Sequence, residues 1–191
     1  MDLVAFKEAF LMPKVRTTYS SSEKVRLLVV TGLFASLVYV FTAYLHIPSG
    51  AGYTHAGDGI IYIAACILPA PYAAAAGAIG GALADGLSGY AVWIPATIVI
   101  KAVTALFFTR KTEKILTLRN MCGIVPSLIV CITGYALYEG TVMTKGFSLA
   151  AILAALQQIP SYCIQVLASS LLFIITAAAL DKTDIKKKFR Y

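Results

Sequence analysis

The chain has 191 residues, of which 59% are hydrophobic and 13% charged, and its formal net charge is +7. A soluble domain carries roughly a quarter charged residues, so this composition excludes an ordinary water-soluble globular protein. Several apolar runs approach the roughly 20 residues that one helix needs to cross a bilayer, so we predict an integral membrane protein built as one compact bundle.

The first predicted element is the N-terminal segment, residues 1–24, which lacks the features of a secretory signal. Asp2 and Glu8 stand where a signal carries positive charge, and no long apolar core leads to a small-residue cleavage site. We predict a short amphipathic cytoplasmic helix from about Leu3 to Leu11, followed by a polar linker. An expression remnant or a disordered tail is the alternative.

Five apolar stretches follow, over residues 27–45, 60–84, 94–109, 121–138 and 149–180. As a single helix rising about 1.5 Å per residue, the last stretch would be about 48 Å long, too long for one crossing. Pro160 is therefore predicted to separate an outer segment from a span over residues 161–180. Whether residues 149–160 form an outer helix or part of that span stays open.

The stretch 60–84 contains two prolines, Pro69 and Pro71, and is either one kinked helix or a tight hairpin. The positions of the basic residues distinguish the hairpin from the kinked helix, because cytoplasmic loops carry an excess of Lys and Arg. With a hairpin, the basic blocks near residues 7–26, 110–119 and 182–190 all face the cytoplasm. We therefore predict an all-α membrane protein, a six-transmembrane-helix bundle over residues 25–181 with both termini cytoplasmic and a basic tail over residues 182–191. This topology then explains the net charge of +7, which does not indicate a nucleic-acid partner.

Small residues repeat at a spacing of four in two of these stretches. One series ends in a carboxylate and comprises Ala73, Gly77, Gly81 and Asp85, on one face of the hairpin's second arm. The other is the pair Gly32 and Ser36 on the first span. Small residues at this spacing permit close helix contact. The second pair is predicted either to pack inside the bundle or to offer a docking groove to another membrane protein.

Charged residues at membrane depth are costly and usually mark function. In the six-helix topology Asp58, Asp85, Lys101 and Glu139 all lie in the outer half, accompanied by polar and aromatic side chains: His55, Gln157, Gln158, Gln165, Tyr53, Tyr62, Tyr90, Trp93, Tyr135 and Tyr138. The asymmetry predicts a pocket that opens outward and argues against a continuous water-filled pore.

Simpler interpretations exist for each of these polar groups. Asp85 and Lys101 can form a structural ion pair between adjacent helices, and Asp58 can cap the N-terminus of its helix. Glu139 can be solvated at the interface, and the aromatic residues can belong to an interfacial belt.

Motifs for chemistry are scarce. The sequence has no GxxxxGK[ST] phosphate-binding loop. "GLSG", residues 86–89, matches the GxSG pattern of rhomboid intramembrane proteases, but no His follows His55 to serve as the base. The four cysteines lie in apolar segments without CxxC spacing, which indicates packing residues rather than a disulfide framework or a metal site. We predict no enzyme activity and no cofactor in this chain.

Residues 55–102, "HAGDGIIYIAACILPAPYAAAAGAIGGALADGLSGYAVWIPATIVIKA", resemble the S components of energy-coupling factor (ECF) transporters, which are small vitamin-binding membrane subunits. In that family a similar HxGD start, a G-x-x-G-x-A-L-A-D run, a G-Y and a W-x-P-A-T-x-x-I-K run recur. The resemblance covers roughly residues 24–181 and is dense between His55 and Lys101.

This resemblance implies an outward substrate pocket, a lid over residues 47–57, and partners that supply ATP hydrolysis: a transmembrane T component and two ATPase subunits. It also implies that the chain lies in the plasma membrane of a bacterial cell. The family often has an Ala-x-x-x-Ala docking motif on the first helix, where this chain has Gly32 and Ser36. The expected substrate-binding residues are His55, Asp58, Tyr62, Asp85, Tyr90, Trp93, Lys101, Glu139 and Gln158.

The expected substrate is a small water-soluble vitamin or precursor. Pyridoxine-like and hydroxymethylpyrimidine-like compounds suit a pocket with both charge signs; riboflavin, pantothenate and a modified nucleobase stay open. Two other functional classes also stay open. One is a stand-alone proton-coupled carrier that uses Asp85 and Glu139 as proton sites. The other is a structural membrane subunit without a ligand.

Overall fold

The computed structural model describes residues 19–49 and 52–189, and this part of the chain is mostly helical. The amphipathic helix expected near Leu3 to Leu11 lies outside the described residues. The first helix, α1, runs over Ser21–Ala43. A capping box starts it: the Ser20 side chain accepts from the Glu23 backbone N–H, and the Glu23 carboxylate accepts from the Ser20 backbone N–H.

Two short strands follow α1, β1 over His46–Ser49 and β2 over Gly52–His55. They pair antiparallel, with His46 opposite His55. This hairpin occupies most of the segment expected to form a lid. It corrects the all-α prediction. Each strand has four residues, and so short a segment shows too little alternation of polar and apolar residues for the sequence to indicate a strand.

The proline-containing stretch forms two separate helices, α2 over Asp58–Ile67 and α3 over Ala70–Leu87. The backbone is extended at Leu68 and Pro69, which breaks the helical hydrogen-bond ladder. All ten residues of α2 are buried. Short α2 is therefore enclosed by its neighbours and has no exposed face.

A 3₁₀ turn, Ala91–Trp93, leads into α4 over Ile94–Ala105. Short α5 (Leu118–Cys122) precedes α6 (Ile124–Tyr138), which continues as a π-helical turn, Glu139–Met143. Then come α7 (Leu149–Leu156), α8 (Ile159–Asp181) and α9 (Ile185–Lys188). Pro160 stands in the first turn of α8, so residues 149–180 are divided where the sequence predicted.

Within residues 19–49 and 52–189, three segments are long and apolar enough to cross a membrane: Ser21–Ala43, Leu118–Met143 and Ile159–Asp181. Two shorter apolar helical segments accompany them, Asp58–Ile67 and Ala91–Ala105. Large apolar side chains also cover the outside of the bundle, among them Leu28, Leu33, Leu167 and Leu171. The helical membrane fold is thus supported, whereas the count of six spans and the side on which the ends lie stay predictions.

The glycines of α3 let its two neighbours approach. A Cβ at Gly80 would lie 2.5 Å from the Ala35 carbonyl oxygen on α1, and a Cβ at Gly81 would lie 2.7 Å from Thr97 Cγ2 on α4. These separations are too short for a side chain, so α3 packs with its backbone against both α1 and α4. The face that carries Gly81 also carries Asp85.

Candidate functional site

A cavity lies beneath the β-hairpin, among the ends of α3, α4, α6 and α8 that point toward it. It holds about 510 Å³ of space free of protein atoms, part of it continuous with solvent. Its lining combines hydroxyl, amide, charged and aromatic side chains, and comprises Thr42, Ser49, Gly52, Tyr53, His55, Asp85, Trp93, Thr97, Lys101, Tyr135, Gln158, Ser161, Tyr162 and Gln165. A mixture of aromatic surface and a few polar groups is what small-molecule sites use.

Lys101 forms a buried ion pair with Asp58. The Lys101 Nζ lies 2.7 Å from Asp58 Oδ1, and both side chains are almost fully buried. Gln165 Nε2 donates to the other carboxylate oxygen of Asp58 at 2.8 Å. Each charge therefore has the close partner that a buried charge requires.

This arrangement corrects two of the simpler interpretations. The ion pair of Lys101 is with Asp58 and not with Asp85. Asp58 also does not cap its helix: Gly57 occupies the N-cap position, and no side chain caps α2. The Asp58 carboxylate, in the first turn of α2, instead contacts Lys101 on α4 and Gln165 on α8.

Asp85 ends the small-residue face of α3 and is 3% exposed. Tyr53 Oη, on β2, donates to Asp85 Oδ1 at 2.5 Å. Asp85 Oδ2 is buried and has no hydrogen-bond partner among the described residues. The carboxylate thus ties the hairpin to the bundle with one oxygen and keeps the other without a donor.

His55, the last residue of β2, is buried at the edge of the same cavity. The Gly57 backbone N–H donates to His55 Nδ1 at 3.1 Å, which leaves the proton of the neutral ring on Nε2. Burial, with the positive charge of Lys101 as the next cause, lowers the pKa of His55 to about 3. The ring is therefore neutral at physiological pH.

Aromatic rings form one wall of the cavity. Tyr135 and Tyr162 are stacked, with centroids 5.8 Å apart and planes inclined by 4°, and Trp93 meets Tyr135 edge to face at 5.6 Å. Thr97 Oγ1 and Tyr135 Oη are 3.0 Å apart, which fixes the Tyr135 ring. A planar ring of a ligand would meet flat apolar surfaces here.

Of the expected substrate-binding residues, five line the cavity: His55, Asp85, Trp93, Lys101 and Gln158. Three others lie next to lining residues. Asp58 is paired with Lys101, the ring of Tyr90 packs 4.6 Å from that of Tyr53, and Glu139 Oε1 accepts from Gln158 Nε2 at 3.0 Å.

Tyr62 does not lie at the cavity, which corrects its expected role as a ring that stacks on the ligand. It is fully buried, stacks on Phe108 with centroids 4.4 Å apart, and shares a hydrogen bond with Ser127 at 3.0 Å. The physical reason is its position on α2: one turn beyond Asp58, it points into the closely packed centre of the bundle.

Sequence reasoning missed Thr42, Thr97, Ser161 and Tyr162 as lining residues, and the last three have a recognisable spacing. The spacing that identifies them is helical: Thr97 is four residues before Lys101, and Ser161 is four residues before Gln165. Tyr162 is likewise four residues after Gln158. Residues four apart share a helix face, so each follows from a polar residue already recognised.

The predicted docking pair lies on the outside of α1. Gly32 and Ser36 are both exposed, and a Cβ at Gly32 would meet nothing within 4 Å. Ser36 Oγ donates to the Gly32 carbonyl at 2.9 Å, so the serine covers its own polar group. Of the two alternatives for this pair, packing inside the bundle is wrong, and the pair presents a smooth surface.

The model of a family described as "ECF-type riboflavin transporter, S component" matches residues 22–182, a range that includes every residue of the cavity described above. No curated protein matches the chain.

Proposed function

We propose a substrate-capture role for this chain, which belongs to the family of ECF-type riboflavin transporter S components. The family is one of multi-pass membrane transport subunits rather than enzymes. In our proposal the chain binds a small water-soluble vitamin or precursor from outside the cell and delivers it for uptake. The cavity beneath the β-hairpin, with its aromatic wall and its buried polar groups, is the observation that carries this proposal.

The proposed ligand contains a flat heteroaromatic ring. Trp93 and the stacked Tyr135 and Tyr162 supply surfaces for such a ring, while Lys101, Gln158 and other polar groups supply hydrogen bonds at its edges. Pyridoxine-like and hydroxymethylpyrimidine-like compounds satisfy these requirements. Riboflavin, which the family description names, satisfies them as well.

The proposed partners are a transmembrane T component and two ATPase subunits in a bacterial plasma membrane. The chain itself has no phosphate-binding loop, so the energy for uptake would come from those subunits. We further propose the topology of six spans with both ends in the cytoplasm. The cavity would then open outward, and the basic residues 110–119 and 182–189 would face inward.

Native mass spectrometry of the purified chain, followed by fluorescence titration with a panel of vitamins, tests the proposal. Trp93 is the sole tryptophan and lines the cavity, so a bound ring should change its emission. Trp93→Phe is the control, because it should remove the signal. If no metabolite co-purifies, and no vitamin changes the emission or the melting temperature, the capture role is wrong.

A further inference from the structure

One oxygen of the Asp85 carboxylate points to the kind of ligand that the cavity accepts. Asp85 is 97% buried and lines the cavity, Tyr53 donates to Oδ1, and Oδ2 has no donor among the described residues. Thr97, also on the lining, lies next to the Asp85 carboxyl group and shares a hydrogen bond with Tyr135. A buried acceptor without a donor costs free energy, which a donor on a ligand would recover.

The charges around the cavity are otherwise balanced. Lys101 is paired with Asp58 at 2.7 Å, and the His55 ring is neutral. Asp85 is buried beside this pair, and among the described residues its carboxyl group accepts from Tyr53 Oη at 2.5 Å. Among the described residues that line the cavity, Asp85 is the one carboxyl group, and no cation forms an ion pair with it.

We propose that Asp85 Oδ2 accepts a hydrogen bond from an N–H or O–H group of the ligand, and that the cavity consequently selects neutral or cationic heteroaromatic compounds and rejects carboxylates. The inference rests on the capture role proposed above and narrows it. Pyridoxine, an aminopyrimidine and riboflavin carry suitable donors and no carboxylate. Pantothenate, which the sequence leaves open, carries a carboxylate and would face Asp85 at close range.

Pairs of ligands that differ in one group test this selectivity on the full chain in lipid nanodiscs. Pyridoxine is compared with 4-pyridoxate, and nicotinamide with nicotinate, by isothermal titration calorimetry. Within each pair the ring is the same, while a neutral donor group is replaced by a carboxylate. The neutral member is expected to bind at least about tenfold more tightly, because a carboxylate offers no donor to Asp85 Oδ2 and would place two acidic groups side by side.

A conservative variant tests the role of Asp85 itself. Asp85→Asn keeps the shape and still accepts from Tyr53, but its amide N–H₂ would face the ligand donor. The tightest binder among pyridoxine, 4-amino-5-hydroxymethyl-2-methylpyrimidine and riboflavin is expected to lose about 10-fold to 100-fold in affinity. Asp184→Asn is the matched control, since this carboxylate is exposed and pairs with Lys187 away from the cavity.

The outcomes separate this inference from the capture role. If Asp85→Asn binds that probe within about twofold of the unaltered chain, or if a carboxylate binds as tightly as its neutral partner, Asp85 does not select the ligand. The capture role would then stand without this selectivity. If Asp85→Asn does not fold, the ligand pairs still decide. If none of these probes binds the unaltered chain, the capture of a heteroaromatic vitamin is wrong, and this inference fails with it.

Discussion

His55 is a neutral residue in the folded protein and a basic one in the unfolded chain. Its pKa is about 3 when folded, against an ordinary value of 6.5, chiefly because burial disfavours the charged ring. Lys101, Asp58 and His46 are the other groups that influence it. Between these two values the unfolded chain binds a proton that the folded protein does not, so the free energy of unfolding falls as the pH falls.

From this we predict that lowering the pH from about 8 to about 5 costs about 2 kcal/mol of stability through His55 alone. The measurement is the melting temperature of the purified chain in detergent across that range. His55→Gln should flatten this part of the dependence, whereas His46→Gln should retain it. An equal pH dependence in all three proteins would show that His55 is not held neutral.

The sequence identifies the charged residues of the cavity, but it does not show which of them contact one another. Asp58, Asp85 and Lys101 are conspicuous because each is a charge within or beside an apolar stretch. Which carboxylate meets Lys101 depends on how α2, α3 and α4 pack, and helical spacing carries no information on that. Tyr62 shows the same limit, since its neighbours Phe108 and Phe173 come from distant parts of the chain.

Among the helices, the contact between α1 and α3 depends on Gly80. A Cβ there would lie 2.5 Å from the Ala35 carbonyl oxygen and 2.6 Å from Val38 Cβ, so an alanine must push the two helices apart. We predict that Gly80→Ala lowers the free energy of unfolding by about 1–3 kcal/mol. Denaturation in mixed micelles, followed by the circular dichroism of the helices, measures the change.

Gly32→Ala is the matched control, because it makes the same substitution in α1 where a Cβ meets nothing within 4 Å. It should leave stability unchanged or raise it by up to about 1 kcal/mol, since alanine favours the helix. If both alanine variants unfold alike, close packing at Gly80 does not hold α1 against α3.

Helices and their breaks could be predicted well from the sequence, and the strands could not. Prolines carry a direct physical signal, and the chain does divide at Pro69 and at Pro160. The hairpin of β1 and β2 has only four residues in each strand. Its pairing is stabilised by the bundle below, as in the bond from Tyr53 to Asp85, and such tertiary support leaves no periodic pattern.

For the molecule as a whole, the exposed pair on α1 gives the prediction about assembly. We expect Gly32→Trp to leave vitamin binding by the purified chain unchanged, because the residue lies on the outside of the bundle, away from the cavity. Uptake by cells that also make the T component and the ATPases should fall at least about tenfold, because a bulky ring opposes close helix contact.

Leu171→Trp provides the control for this experiment. Leu171 is also exposed, at 60%, but on α8, so a tryptophan there adds the same bulk to a different face. It should support normal uptake. Equal uptake by the two variants would place the docking surface elsewhere, and uptake without any ATPase would favour the stand-alone carrier.

The complete burial of α2 limits the path that a ligand in the cavity could take through the protein. Its first residue, Asp58, is paired with Lys101 at the floor of the cavity, and its last, Ile67, borders a basic cleft at the opposite end of the bundle. Between these ends every side chain of α2 is buried, and Tyr62 stacks on Phe108 and meets Phe173 edge to face. Helix α2 and its packed neighbours therefore separate the cavity from the basic cleft. In the proposed capture role, a bound molecule would therefore leave by the opening beneath the β-hairpin through which it entered, and not by passing along α2.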